Sequence, residues 1–148
     1  MLLAASLLAL ALAGDMQVEV VLAQDSPVRL DKVKVLNTDA APLVLLYEAH
    51  NVTDAELDQF TVMVFVFDRT GRLKARQVAP GRRTLEARSS KFSTMVLDVG
   101  TIEPTDMLMA GVDQAQRTAS DQWWRADLRA LAEAAAKKRA GPQDRVVR

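Results

Sequence analysis

The run Thr61-Val62-Met63-Val64-Phe65-Val66-Phe67 constrains this chain more than any other segment. Seven consecutive apolar or β-branched residues read as a strand, with Val62, Val64 and Val66 on one face and Met63, Phe65 and Phe67 on the other. A strand that is apolar on both faces must be covered twice. Asp68-Arg69-Thr70-Gly71 follows it and predicts a tight hairpin turn, with Gly71 at the left-handed position and a return strand over Arg72–Val78.

The rest of the chain repeats this short rhythm. Met16, Val18, Val20 and Leu22 alternate with more polar neighbours and predict a half-buried strand, ended by Asp25-Ser26-Pro27. Val28–Leu36 is a second strand whose phase slips: Val28 and Leu30 point one way, Val33 and Val35 the other. A bulge near Asp31 would bring both halves onto one face. Asn37–Pro42 is turn chemistry, and Leu43–Ala49 a third strand. Further pieces fall at Thr84–Ala87, Lys91–Val99 and Asp106–Val112. About seven turn-punctuated strands with no intervening helical pattern predict an antiparallel β-sandwich spanning residues 15–116 and argue against a parallel α/β sheet.

After Arg117 the period becomes helical. With Ser120 as N-cap and Gly141-Pro142 as stop, residues 117–141 read as an amphipathic helix. Trp124, Leu128, Leu131 and Ala135 fall on one stripe, and Lys137, Lys138 and Arg139 complement the negative helix end. A two-sheet sandwich covers only the inner face of each sheet, so this stripe is expected to cover the second face of Thr61–Phe67, in its own subunit or in a neighbour, with Trp124 docking the helix. Residues 142–148 read as a tail.

At the other end, residues 2–13 form an uncharged Leu/Ala run closing on Ala11-Leu12-Ala13, with Gly14-Asp15 next. The run is shorter than the roughly 18 apolar residues of a spanning helix, and it has the core and small-x-small end of a signal peptide. The expectation is export to the periplasm or cell surface, with residues 1–13 as the signal. The chain has no Cys and one His, which removes disulfides, thiolate metal sites and Cys nucleophiles and leaves little for a His-based triad.

The stretch 43–98 carries a further pattern. An apolar strand leads through Tyr47-Glu48-Ala49-His50-Asn51 into a polar loop; a long apolar strand closes on Phe67-Asp68-x-x-Gly71; a basic return strand follows, then Phe92-Ser93-Thr94-Met95-Val96-Leu97. This resembles the bacterial extracytoplasmic immunoglobulin-like domains of the FxLYD and water-stress type. The resemblance covers about half the mature chain, and the helical segment from 120 lies outside it. It implies an immunoglobulin-like sandwich with a C-terminal helix and a non-catalytic structural or adhesive role, and it brings no catalytic residues.

Three clusters hold residue types that can do chemistry. His50 shares a strand face with Glu48, and reads as a surface or hydrogen-bonded His rather than a metal ligand. Asp54, Glu56 and Asp58 crowd one loop without the glycine and terminal bidentate Glu of a calcium loop, so a solvated acidic loop is expected. Asn51-Val52-Thr53 is a glycosylation sequon, which counts only if the host glycosylates exported chains. No metal, cofactor or catalytic residue is expected, and an Asp/Glu-based hydrolase is the least favoured class.

Charge is balanced at 19 Lys+Arg against 19 Asp+Glu, yet unevenly placed. Residues 69–91 hold Arg69, Arg72, Lys74, Arg76, Arg82, Arg83, Arg88 and Lys91 against Glu86 alone. Such a segment either forms a solvated face neutralised across the sheet or meets an anionic partner. Export and an aromatic content of 5% disfavour nucleic acid, which needs stacking platforms. The candidate interaction surface is therefore Arg72, Lys74, Arg76, Arg82 and Arg83 together with Trp123 and Trp124, with Trp123 the exposed anchor for a protein or a membrane surface. The expected function is an accessory interaction module. The alternative is a small-molecule or polysaccharide carrier.

Overall fold

The computed structural model describes residues 16–37, 42–79 and 82–141. The expected signal segment, the Asn37–Pro42 turn beyond its two ends, Pro80-Gly81 and the 142–148 tail lie outside the described residues. Among the described residues nine strands and one helix are seen: β1 (Val18–Val20), β2 (Val28–Leu36), β3 (Val44–Asn51), β4 (Leu57–Phe67), β5 (Leu73–Ala79), β6 (Arg82–Leu85), β7 (Ser90–Val96), β8 (Met107–Arg117), β9 (Trp123–Arg125) and α1 (Leu128–Ala140).

They form a two-sheet sandwich with a helix on its back. One sheet has the order β2-β3-β7. The other is built on the long antiparallel pair β4 and β8. Strands β5 and β6 pair with the outer edge of β4, while β9 and the parallel β1 pair with the outer edge of β8. With β2, β3 and β7 read as strands A, B and E, and β5, β4, β8 and β9 as C′, C, F and G, this is an immunoglobulin-type order. The strand without a counterpart in the sequence reading is β9, which pairs with the edge of β8.

The two faces of β4 behave as the sequence requires. Val62, Val64 and Val66 join Leu45, Tyr47, Ala49 and Val35 in the core between the sheets. Met63, Phe65 and Phe67 join Met107, Met109, Leu128, Ala132 and Ala136 in a second core beneath the helix. The phase slip in β2 is resolved by a bulge between Asp31 and Lys34, where Lys32 takes φ 51°, so both halves of the strand feed the inner core.

The helix differs from its expected form. It starts at Leu128, where the Asp127 side chain accepts a hydrogen bond from the Ala130 N–H. Its buried row is Leu128, Ala132 and Ala136 (i, i+4, i+8), whereas Leu131 is 42% exposed. Small residues win this face because the sheet comes close. A Cβ on Gly71 would lie 3.3 Å from the backbone of Ala136, and one on Gly111 would lie 3.0 Å from both Leu128 δ-carbons and 2.5 Å from the Val21 carbonyl.

Residues 123–125, expected in the helix, are β9 instead. The edge of β8 at Gln114–Gln116 offers unpaired backbone groups, and Trp123–Arg125 supplies their partners. Ser120 caps no helix; its hydroxyl accepts from the Gln122 N–H in the turn before β9.

Candidate functional site

The basic segment folds into one edge. β5 and β6 both run along the same side of β4, so Arg72, Lys74, Arg76 and Arg83 line the border of the larger sheet. Arg82 lies in β6, but its side chain falls outside the described residues. Within β5, exposed and half-buried residues alternate, leaving Arg76 to solvent together with Arg72 at the strand's start.

Lys74 leaves this row. The β4–β5 register shifts between Val66 and Phe67, which pair with Ala75 and Leu73 and leave Lys74 as the extra residue. Its ammonium is bound by the Asp106 carboxylate, whose side chain is only 2% exposed. Arg83 donates to the Tyr47 hydroxyl of the facing sheet. The segment therefore splits into Arg72 and Arg76, which face solvent, and Lys74 and Arg83, which are tied down.

The tryptophans occupy the opposite edge, on β9 outside β8. Trp124 packs, half-buried, on the core between the sheets. Trp123, also half-buried, carries Arg125 over its ring at 5.4 Å. The expected helix-docking role of Trp124 is overturned: a strand sends adjacent side chains to opposite faces, and Leu128 takes the docking position. The two halves of the candidate surface do not converge, since β4 and β8 separate them.

The remaining clusters are engaged structurally. His50 Nδ1 lies 2.7 Å from Ser90 Oγ, and Glu48 on the same face binds Lys32 at 2.9 Å, so the two do not meet. Asp54 pairs with Arg88 at 2.9 Å, and Glu56 accepts from Thr118 Oγ1 at 2.8 Å, which disperses the acidic loop. The Arg88 guanidinium also lowers the Asp54 pKa below its ordinary value. Asp68 is lowered as well, by hydrogen bonds from the Thr70 hydroxyl and the Arg72 N–H that organise the hairpin turn. Among the described residues no three His, Asp or Glu side chains gather as metal ligands.

Asn51 is the residue whose role the sequence hid. It is fully buried, and its amide nitrogen donates to the carbonyls of Ala55, Leu85 and Glu86. That burial leaves no room for a glycan, so the sequon reading is overturned.

Asp113 stands apart. It is the extra residue of a bulge in β8, between Val112 and Gln114, and its Oδ1 is buried without a hydrogen-bond partner among the described residues. Burial pushes its pKa above the ordinary 3.8. The folded chain thus holds this proton more tightly than the unfolded one, so this group's contribution to stability rises as pH falls through the folded value. Asp113→Asn is expected to raise the melting temperature at pH 7 and to lose that advantage near pH 3. Thermal scans at both pH values check this, and an Asn variant that melts lower at pH 7 would contradict it.

The arrangement offers surfaces for recognition: a basic edge, an aromatic edge, and grooves where the sheets part. Comparison with known proteins finds no family model, no curated protein and no solved structure that matches this chain.

Proposed function

We propose that the chain is an exported, non-catalytic interaction module that presents the basic edge of its larger sheet to an acidic face of a partner protein in the periplasm or at the cell surface. Export rests on Leu2–Ala13 and its Ala11-Leu12-Ala13 end, and the absence of catalysis on the resemblance to FxLYD and water-stress domains.

The observation that carries the interaction reading is the unequal use of charge. Arg29, Lys32, Lys74, Arg88, Arg129 and Arg139 are each tied to a carboxylate. Arg72 and Arg76 stand exposed on the sheet border, and neither is held by a carboxylate within salt-bridge distance among the described residues, Arg72 making only a lesser electrostatic contribution to the exposed Asp68. Charged side chains on an edge also discourage strand-to-strand aggregation. If that were their whole purpose, reversing them would alter no binding event.

The test uses the full chain as bait, wild type beside the double variant Arg72→Glu/Arg76→Glu. Lys74 is spared, because a carboxylate there would face Asp106. Capture of the partner should fall roughly tenfold, the effect of turning two exposed attractions into repulsions. The melting temperature should fall only slightly, because the new Glu at 72 repels the exposed Asp68 through solvent-screened charge. Equal capture by both proteins would refute the reading.

A further inference from the structure

We infer a separate ligand site in the groove between β6 and β7, built to take a small amphiphilic carboxylate: apolar chain on the floor, carboxylate between Arg83 and Lys91. This goes beyond the basic-edge reading and does not depend on it.

The groove lies between two points where the sheets are tied together. At one end Gln77 of β5 donates to the Val96 carbonyl at 2.8 Å and accepts from the Asp98 N–H at 2.7 Å; at the other Asn51 of β3 donates to the Leu85 carbonyl of β6 at 3.1 Å. Between them β6 and β7 border a groove of about 390 Å³, within the size range of small-molecule sites. Its floor is Ala49, Phe60 and Leu85, each buried at 4% exposure or less.

Its polar lining is one-sided. Among the described residues Arg83 and Lys91 line it and no carboxylate does, whereas three other grooves each include an acid: Asp98 in the first, Glu103 and Asp106 in the second, Asp25 in the third. The two cations are oriented by neutral acceptors, Arg83 by the Tyr47 hydroxyl and Lys91 by the Thr84 carbonyl at 2.7 Å. Each therefore keeps its charge and spare donors, since a guanidinium has five N–H groups and an ammonium three. A carboxylate placed between them would gain charge-assisted hydrogen bonds from both sides.

Phe92 faces the other side of β7, opposite Glu48 and with the Lys32 ammonium 5.2 Å from its ring centroid. It therefore only borders the groove at the strand edge, and its neighbours Lys91 and Ser93 line the interior. An inorganic anion would use the cations and waste the floor; an uncharged alkane would do the reverse.

The experiment titrates the full chain with decanoate, acetate and decanol, read by calorimetry and by amide chemical shifts. Decanoate should bind saturably below its micellar range, with shifts at Ala49, Leu85 and Ser93; acetate and decanol should bind at least about tenfold more weakly. Lys91→Gln, at an exposed position, should weaken decanoate binding about tenfold, and Arg83→Gln by as much or more. If Arg83→Gln fails to fold, Lys91→Gln decides alone. Acetate matching decanoate would make this a plain anion site and overturn the proposal. So would decanol matching decanoate, no saturable binding, or a Lys91→Gln protein that binds as well as wild type.

Discussion

Asn51→Ala is expected to lower the stability of the folded chain by about 3 kcal/mol, although nothing but a polar side chain is lost. The Asn51 amide nitrogen donates to Ala55 O at 2.8 Å, Leu85 O at 3.1 Å and Glu86 O at 3.2 Å. With two hydrogens for three acceptors, at least one is shared. Its carbonyl oxygen accepts from Thr53 N–H at 2.9 Å and Thr53 Oγ1 at 2.7 Å. One side chain thereby joins the end of β3 in the smaller sheet to the end of β6 in the larger. Alanine would leave the Leu85 carbonyl without this buried donor and release the turn leading into β4. The penalty combines several modest bonds with the desolvation of groups left unpaired. Urea unfolding measures it; a loss below roughly 1 kcal/mol would mean that water replaces the amide.

Leu128→Ala should cost a similar amount, about 3 kcal/mol, while Leu131→Ala three residues later should cost less than about 0.5 kcal/mol. Leu128 is 1% exposed and packs in the core beneath the helix with Met109 and Phe65. A Cβ on Gly111 would lie 3.0 Å from both Leu128 δ-carbons and 2.5 Å from the Val21 carbonyl oxygen, so helix and sheet meet here without room for a side chain. Removing three buried carbons at the helix's first turn opens a cavity where the sheet cannot collapse, because β4 and β8 are fixed by their ladder. Leu131 faces solvent and has no such role. Paired denaturation curves check the ranking, and equal losses at the two positions would show that the helix sits in another phase.

Alternation along β4 made its two buried faces and the need for a third layer legible in the sequence, as it did the bulge in β2 and the Asp68–Gly71 hairpin. These features are local: period two, a phase slip, and turn residues that bond their own backbone. What escaped depended on neighbours distant in sequence. Trp123-Trp124-Arg125 fits a helical stripe as well as a strand, and only the unpaired edge of β8 decides between them. The helix's true face is a row of alanines that makes a weak hydrophobic stripe; its value comes from close approach to Gly71 and Gly111.

The candidate surface was legible only in part for the same reason. That residues 69–91 are basic is plain from composition. That Lys74 is taken by Asp106, that Arg83 turns to Tyr47, and that Arg72 and Arg76 remain exposed follows from a one-residue bulge and a sheet edge. Asn51 read as the entry to a polar loop and part of a sequon; its burial depends on β6, more than thirty residues downstream.

The proposed interaction is tested most directly by hydrogen–deuterium exchange on the full chain, alone and with any protein that the wild-type bait captures. Protection should appear along β5 and β6, residues 72–79 and 82–85, and should fade at 0.5 M salt, where screening shortens to on the order of 4 Å. Protection confined to the opposite edge, at Trp123–Arg125, and unchanged by salt would contradict the assignment of the basic edge as the binding surface.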